Sequence, residues 1–224
     1  MKTTVITAHA GAECAKACWE SWGLLPVIVK GFDGMLPAYE EARLHCDEYD
    51  LLVFLHDDLL IHDRDWLVRV EKEFSDPKVG LVGFAGGLVH GSPDLYRTPY
   101  KLQQLGRGGF RSNLEDAETH GERFTGSCDI AVLDGFALIV RREILEQAGG
   151  WPLNTPIGYS NYDYWLGCET HRQGYKIRLV GVSCKHLGGQ TSVKLGLAGS
   201  GEAHDAAHLW LYNEYKDVLP WSCL

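Results

Sequence analysis

The chain has 224 residues, 45% hydrophobic and 23% charged, with a formal net charge of −9. That length suits one substantial core without a second domain, and the acidic balance opposes passive attraction to phosphate backbones, with Arg107, Arg111 and Arg123 leaving room only for a local basic patch. No apolar run approaches the roughly 18–20 residues that cross a bilayer, and Met1-Lys-Thr-Thr-Val-Ile-Thr-Ala8 lacks a signal-peptide layout, so a cytoplasmic protein is expected.

Short β-branched and aliphatic runs alternate with amphipathic stretches through the first half, the pattern of crossover units around a mainly parallel sheet. Strands are predicted at Thr4–Ala8, Pro26–Lys30, Leu51–Leu55 and Val79–Phe84. Helices are predicted at Cys14–Trp22 and Pro37–Cys46, the second with proline at its first position. Asp63 is placed to cap a third, whose Trp66, Leu67, Val70 and Phe74 share a face and which Pro77 follows.

Periodicity fails from Leu88 to Cys128, a length that in a compact domain marks a functional or mobile connection. It returns at Ile130–Val140, read as one strand, followed by a helix at Arg142–Ala148 closed by Gly149-Gly150. A helix is predicted at Tyr162–Gln173, a strand at Lys176–Cys184, a pliable glycine-rich stretch at Gly188–Gly201 and a last helix at Glu202–Tyr215. Seven cysteines, at 14, 18, 46, 128, 168, 184 and 223, form no Cys-x-x-Cys pair, which suits reduced core thiols better than a disulfide framework or zinc site.

Ligands of open α/β sheets bind beyond the carboxyl ends of the strands, so polar residues there carry weight. His56-Asp57-Asp58 follows the apolar run Leu51–Leu55, and carboxylate oxygens suit magnesium or manganese bridging a protein to substrate phosphates. The same triplet also suits a solvated strand exit. His186 follows another strand and precedes two glycines; it reads as a metal ligand or as an ordinary hydrogen-bonded histidine. Asp163 opens a helix and reads as its cap or as a general base. Asp134 interrupts an apolar strand, where a carboxylate is costly unless paired or facing a cleft. His204 and His208 have the four-residue spacing of a helical metal pair, but the alanines around them and Trp210 indicate a helix packed on the core.

Taken in order, these segments resemble the nucleotide-sugar glycosyltransferases of the GT-A fold, family 2 in particular. Tyr49-Asp-Leu-Leu-Val-Phe-Leu-His-Asp-Asp58 is similar to the strand ending in the family's D-x-D motif, followed by Asp65-Trp-Leu and Pro77-Lys-Val-Gly-Leu-Val-Gly83. Leu133-Asp-Gly-Phe136 through Gly150-Trp151 resembles the acceptor-side strand and helix, and Tyr162-Asp163 through Gly174-Tyr-Lys-Ile177 the acidic motif and its helix. The resemblance implies a single GT-A-like (Rossmann-like) α/β domain over 1–224, with a nucleotide-sugar half at about 1–87 and an acceptor half at about 88–224. It implies Asp163 as catalytic base, Asp58 and His186 on a manganese or magnesium ion, and Asp134 and Gly135 at the acceptor. Thr7, Ala8, Asp33, His56 and Asp57 would then bind the nucleotide-sugar. His56 stands where the family has its first aspartate, and Trp165 where it has a second acid.

The expected activity is metal-dependent, inverting transfer from a nucleoside-diphosphate sugar, a UDP-sugar by preference, to an acceptor hydroxyl on a saccharide, protein, metabolite or modified nucleobase. Gly188–Gly201 would close over the donor as a lid. A nucleotide-sugar or carbohydrate-binding module without turnover, or a metal-dependent nucleotidyltransferase or hydrolase, are the other classes this pattern admits.

Overall fold

The structure, a computed structural model, describes residues 1–9, 11, 13–32, 34–91, 109–158, 161–188 and 201–223, with the side chains of 120 and 201–205 outside that description. Its centre is Leu51-Leu-Val-Phe-Leu55, strand β3, every residue of which is buried. A strand reads as a continuous apolar run when both faces of its sheet are covered. Here Leu52 and Phe54 point into a core with Tyr39, Ile144 and Trp165, while Leu51, Val53 and Leu55 point into a second core with Cys18, Trp22, Trp66 and Val70.

The first half follows the predicted alternation: β1 (Thr3–Ala8), α1 (Ala15–Ser21), β2 (Val27–Val29), α2 (Met35–Leu44), β3, a short β4 (Leu59–Ile61), α3 (Trp66–Glu73), β5 (Val79–Gly83) and β6 (Ala85–Gly87). Pro37 lies at the third residue of α2, because the helix begins at Met35 after Gly34, whose φ of 114° is open to glycine. Asp65 rather than Asp63 precedes α3; the Asp63 carboxylate accepts the Asp65 N–H at 3.0 Å and pairs with Arg69.

The predicted long connection contains β7 (Val89–His90), β8 (Phe110–Ser112), α4 (Ala117–His120), β9 (Glu122–Arg123) and β10 (Ser127–Asp129). The expected strand Ile130–Val140 is two: β11 (Val132–Leu133) joins β6, β8 and β9 in a second sheet, and β12 (Ala137–Arg141) enters the main sheet. The break is Asp134-Gly135-Phe136. A Cβ on Gly135 would lie 2.4 Å from the Tyr162 hydroxyl, so the chain can turn there against Tyr162 only without a side chain.

After α5 (Arg142–Gln147) and α6 (Tyr162–Arg172), the expected strand Lys176–Cys184 also divides. β13 (Lys176–Val180) stays in the main sheet, whereas β14 (Cys184–His186) leaves it to pair antiparallel with β4. The helix α7 (Gly201–Tyr215) and β15 (Trp221–Ser222) close the fold, β15 pairing with β7.

The main sheet has the order β10-β13-β5-β12-β3-β1-β2. β1, β2, β3, β5 and β13 run parallel; β12 is antiparallel to both β3 and β5, and β10 is antiparallel to β13. This is the expected mainly parallel sheet flanked by helices. Among the described residues no helix is long and apolar enough to cross a membrane, and all seven cysteines are free thiols.

Candidate active site

The site forms where β3, the β11–β12 break, the start of α6 and the β4–β14 ribbon meet. His56 leaves β3 with its backbone N–H on the Phe136 carbonyl at 3.0 Å, which ties the triplet to the turn after Gly135. The ribbon sets His186 opposite Leu59, and the Leu187 N–H donates to the Asp58 carbonyl at 3.1 Å. Segments remote in sequence are thus fastened together by main-chain bonds.

Three side chains converge there. His186 Nε2 lies 3.2 Å from Asp58 Oδ1 and 3.3 Å from His56 Nδ1, and single ligand atoms of His56, Asp58 and His186 all fall within 4.8 Å of one another. The His186 ring stacks on Phe136, with centroids 4.9 Å apart. Burial and the neighbouring His186 lower the His56 pKa to about 4, which keeps that ring neutral near pH 7. Burial opposes charge on His186, yet the hydrogen bond and charge of Asp58 raise its pKa overall. Burial likewise disfavours the Asp58 anion, and the contact with His186 nevertheless holds its pKa below the ordinary value. One carboxylate and two imidazoles are chemically competent to hold a divalent cation, and their placement fits such an ion.

Asp57 faces the other way. Its carboxylate is buried and accepts from His9 Nδ1 at 2.8 Å, and the His9 ring meets Trp19 edge-on at 5.2 Å. His9 is absent from the sequence expectations; its signal was a histidine directly after β1. Thr7 is fully buried, and its hydroxyl finds no hydrogen-bond partner among the described residues, so of the expected pair only Ala8 reaches the partly open strand end. Asp33 lies outside the described residues.

The remaining expected residues come from the β11–β12 break and the start of α6. Asp163 is in the first turn of α6, after Asn161, whose φ is 70°. Its carboxylate accepts the Tyr164 N–H at 2.9 Å and also a hydrogen bond from the Gly135 backbone. Burial, followed by the negative charge of Asp134, raises its pKa to about 7 against those hydrogen bonds. Asp134 lines a cleft of about 410 Å³ together with Phe110, Leu114, Asp116, Phe136, His186, Leu187 and Gly188. Phe110, Leu114 and Asp116 come from the segment with no periodicity, which reaches the cleft through a bridge between Leu114 and Cys184. The stretch 189–200, where a lid is expected, lies outside the described residues. His208 is buried with its ring 5.2 Å from that of Tyr164, in line with a helix packed on the core.

A mainly parallel sheet with an inserted antiparallel strand, carrying carboxylates and imidazoles beyond its carboxyl ends, defines a glycosyltransferase of the GT-A fold. The chain belongs to the glycosyltransferase-like family whose model matches residues 26–191. It is an enzyme of sugar transfer. Solved structures agree on the fold. The mannosyltransferase from Pyrobaculum calidifontis, in complex with GDP-Man and Mn2+, is 16% identical over 97% of this chain and 74% of its own, with a TM-score of 0.52. GalNAc-T7 with UDP, GalNAc and Mn2+ is 10% identical over 96% of this chain and 50% of its own, with a TM-score of 0.56. A197 from STIV is 17% identical, over 82% and 83% of the two chains, with a TM-score of 0.52. No curated protein matches the sequence.

Proposed function

We propose that this enzyme moves a sugar from a nucleoside-diphosphate sugar to an acceptor hydroxyl by a single, inverting displacement. The observation carrying this is one cleft lined by Asp134 and His186, with Asp58 paired to His186 and the raised carboxyl of Asp163 within electrostatic reach of Asp134. The GDP-Man and UDP complexes of the two neighbours, both with Mn2+, support that donor class and that ion.

Asp58 and His186 would hold the divalent cation, which when bound supplies Lewis-acid neutralisation of the diphosphate. Ala8 and Asp57, the latter oriented by His9, line the donor side. Asp163 takes the acceptor hydroxyl proton: with a pKa near 7 its carboxylate is a stronger base than an ordinary aspartate and is still ionised in a large fraction at neutral pH. A carboxylate base acting directly on the acceptor hydroxyl suits direct attack and inversion. Asp134 and Asp116, which line the cleft together with the apolar Phe110 and Phe136, offer acceptors for sugar hydroxyls. The halves 1–87 and 88–224 act as one domain.

The test measures release of nucleoside diphosphate and formation of glycosylated product from UDP- and GDP-sugar panels with MnCl2, offering saccharide, peptide and small-metabolite acceptors. Asp163→Asn is expected to lose about 10²- to 10⁴-fold in kcat while still binding donor. Transfer by Asp163→Asn at the wild-type rate sinks the assignment of the base.

A further inference from the structure

We infer that His56 is a direct third ligand through Nδ1, making a two-histidine, one-carboxylate site that selects divalent transition metals over magnesium. This rests on the proposed reading that the cleft binds a cation at all, and adds the identity of the ligands and of the ion.

The spacing is the first argument. Metal–ligand bonds of about 2.0–2.2 Å, at angles between octahedral and tetrahedral, put neighbouring ligand atoms about 3 to 3.5 Å apart. His186 Nε2 lies 3.3 Å from His56 Nδ1 and 3.2 Å from Asp58 Oδ1. His186 is therefore flanked on both sides at ligand spacing.

Ring orientation is the second. The other nitrogen of His56, Nε2, lies 2.6 Å from the Tyr162 hydroxyl, and that hydroxyl donates to the Gly135 carbonyl at 3.2 Å. A carbonyl only accepts, so the relay runs from His56 Nε2–H to the tyrosine oxygen and from the tyrosine hydroxyl to Gly135. That tautomer leaves a lone pair on Nδ1, aimed at the cluster. Metal-bound histidines commonly donate their distal N–H to such a partner, which fixes the ring and raises its basicity. Tyr162 fills this role, and the missing side chain at Gly135 makes room for it. A role in holding ribose or sugar would need the same nitrogen to point away from His186.

Metal preference follows from the donor set. Magnesium favours oxygen ligands and retains its waters, whereas imidazole favours first-row transition ions, with affinity rising from manganese to cobalt. Two imidazoles for one carboxylate therefore tilt the site away from magnesium.

The full-length protein is titrated calorimetrically with MgCl2, MnCl2 and CoCl2, and its Mn2+ complex is examined by electron spin echo envelope modulation, which counts coordinated imidazole nitrogens. The expected results are binding at least tenfold tighter for Mn2+ than for Mg2+, tighter again for Co2+, and two nitrogens in wild type. His56→Ala and His186→Ala should each leave one nitrogen, with Mn2+ affinity down more than tenfold; Tyr162→Phe should keep two while losing about 10-fold in affinity. The count in wild type needs no variant. One nitrogen in wild type, unchanged in His56→Ala, overturns the proposal and leaves the metal site standing on Asp58 and His186. Mg2+ binding as tight as Mn2+ overturns the selectivity. No Mn2+ binding by wild type, even with UDP or GDP present, overturns the cation reading beneath it.

Discussion

At the residue scale the site is a contest between burial and charge. Asp163 shows its direction: folding carries the carboxyl from an ordinary value of 3.8 up to about 7. Only the ionised form accepts a proton, so kcat/KM should rise with pH through about 7, and a flat profile between pH 5.5 and 8.5 would exclude Asp163 as the base. The linkage has the opposite sign for stability. Between pH 3.8 and 7 the native protein holds a proton that the unfolded chain has released, so this group's contribution falls as pH rises across that window. Asp163→Asn, which cannot ionise, should therefore raise the thermal midpoint relative to wild type by more at pH 8 than at pH 5. Gly135 gives a steric counterpart. Its Cβ would meet the Tyr162 hydroxyl at 2.4 Å, so Gly135→Ala should cost about 1–3 kcal/mol in denaturant unfolding by displacing Tyr162. His56, Asp57, Asp58, Asp134, Asp163 and His186 were legible because an acid or histidine following an apolar run breaks the local pattern. The burial of Thr7 was not legible, because a β-branched residue near a strand end gives no sign of which face it takes.

At the element scale, what the sequence left hidden is the β4–β14 ribbon. Leu59-Leu-Ile61 is too short for a periodic signal and follows two aspartates that read as a loop. Cys184-Lys-His186 continues a strand run without a turn residue where the chain changes sheets. The ribbon is nevertheless what brings Asp58 to His186. It is braced by Trp22, whose Nε1 donates to the Leu59 carbonyl at 2.7 Å, while the Trp22 carbonyl accepts from Trp66 Nε1 at 3.0 Å. Trp22→Phe removes the donor and leaves the buried Leu59 carbonyl without it. A loss of about 1–3 kcal/mol in chemical unfolding is expected, with weaker Mn2+ binding measured calorimetrically. The segment 109–129 was unreadable for a related reason: its strands have two or three residues each, and β8 and β10 are held by β6 and β13, remote in sequence.

Across the whole molecule, the C-terminal segment is fastened over three buried histidines that take no part in the proposed chemistry. His90 pairs in register with Trp221, His171 stacks on Trp221 at 3.9 Å, and His208 on α7 packs beside Tyr164. Cys168 lies against His90, 4.0 Å from Sγ to Nδ1. Burial, reinforced by His171 and His208, drives the His90 pKa down to about 3, and burial takes that of His171 to about 4. The unfolded chain takes up protons near 6.5 that the native state refuses, so stability present above 6.5 is lost as pH falls toward 4. Thermal midpoints should decline across that range, and His90→Gln should flatten the decline; an unchanged slope would acquit this histidine.

The antiparallel strand β12 has a consequence for how the protein comes into being. β3 and β5 are made early and lie either side of a slot that only residues 137–141 can fill. Until those residues emerge, the nascent chain holds two apolar strands with unpaired edges, the condition that invites wrong partners. The inserted strand also carries, just ahead of it, the turn with Asp134 and Gly135. Closing the sheet and drawing the Asp134 turn up to the carboxylates that follow β3 are therefore one event, and a chain that has not finished folding has not assembled the candidate site.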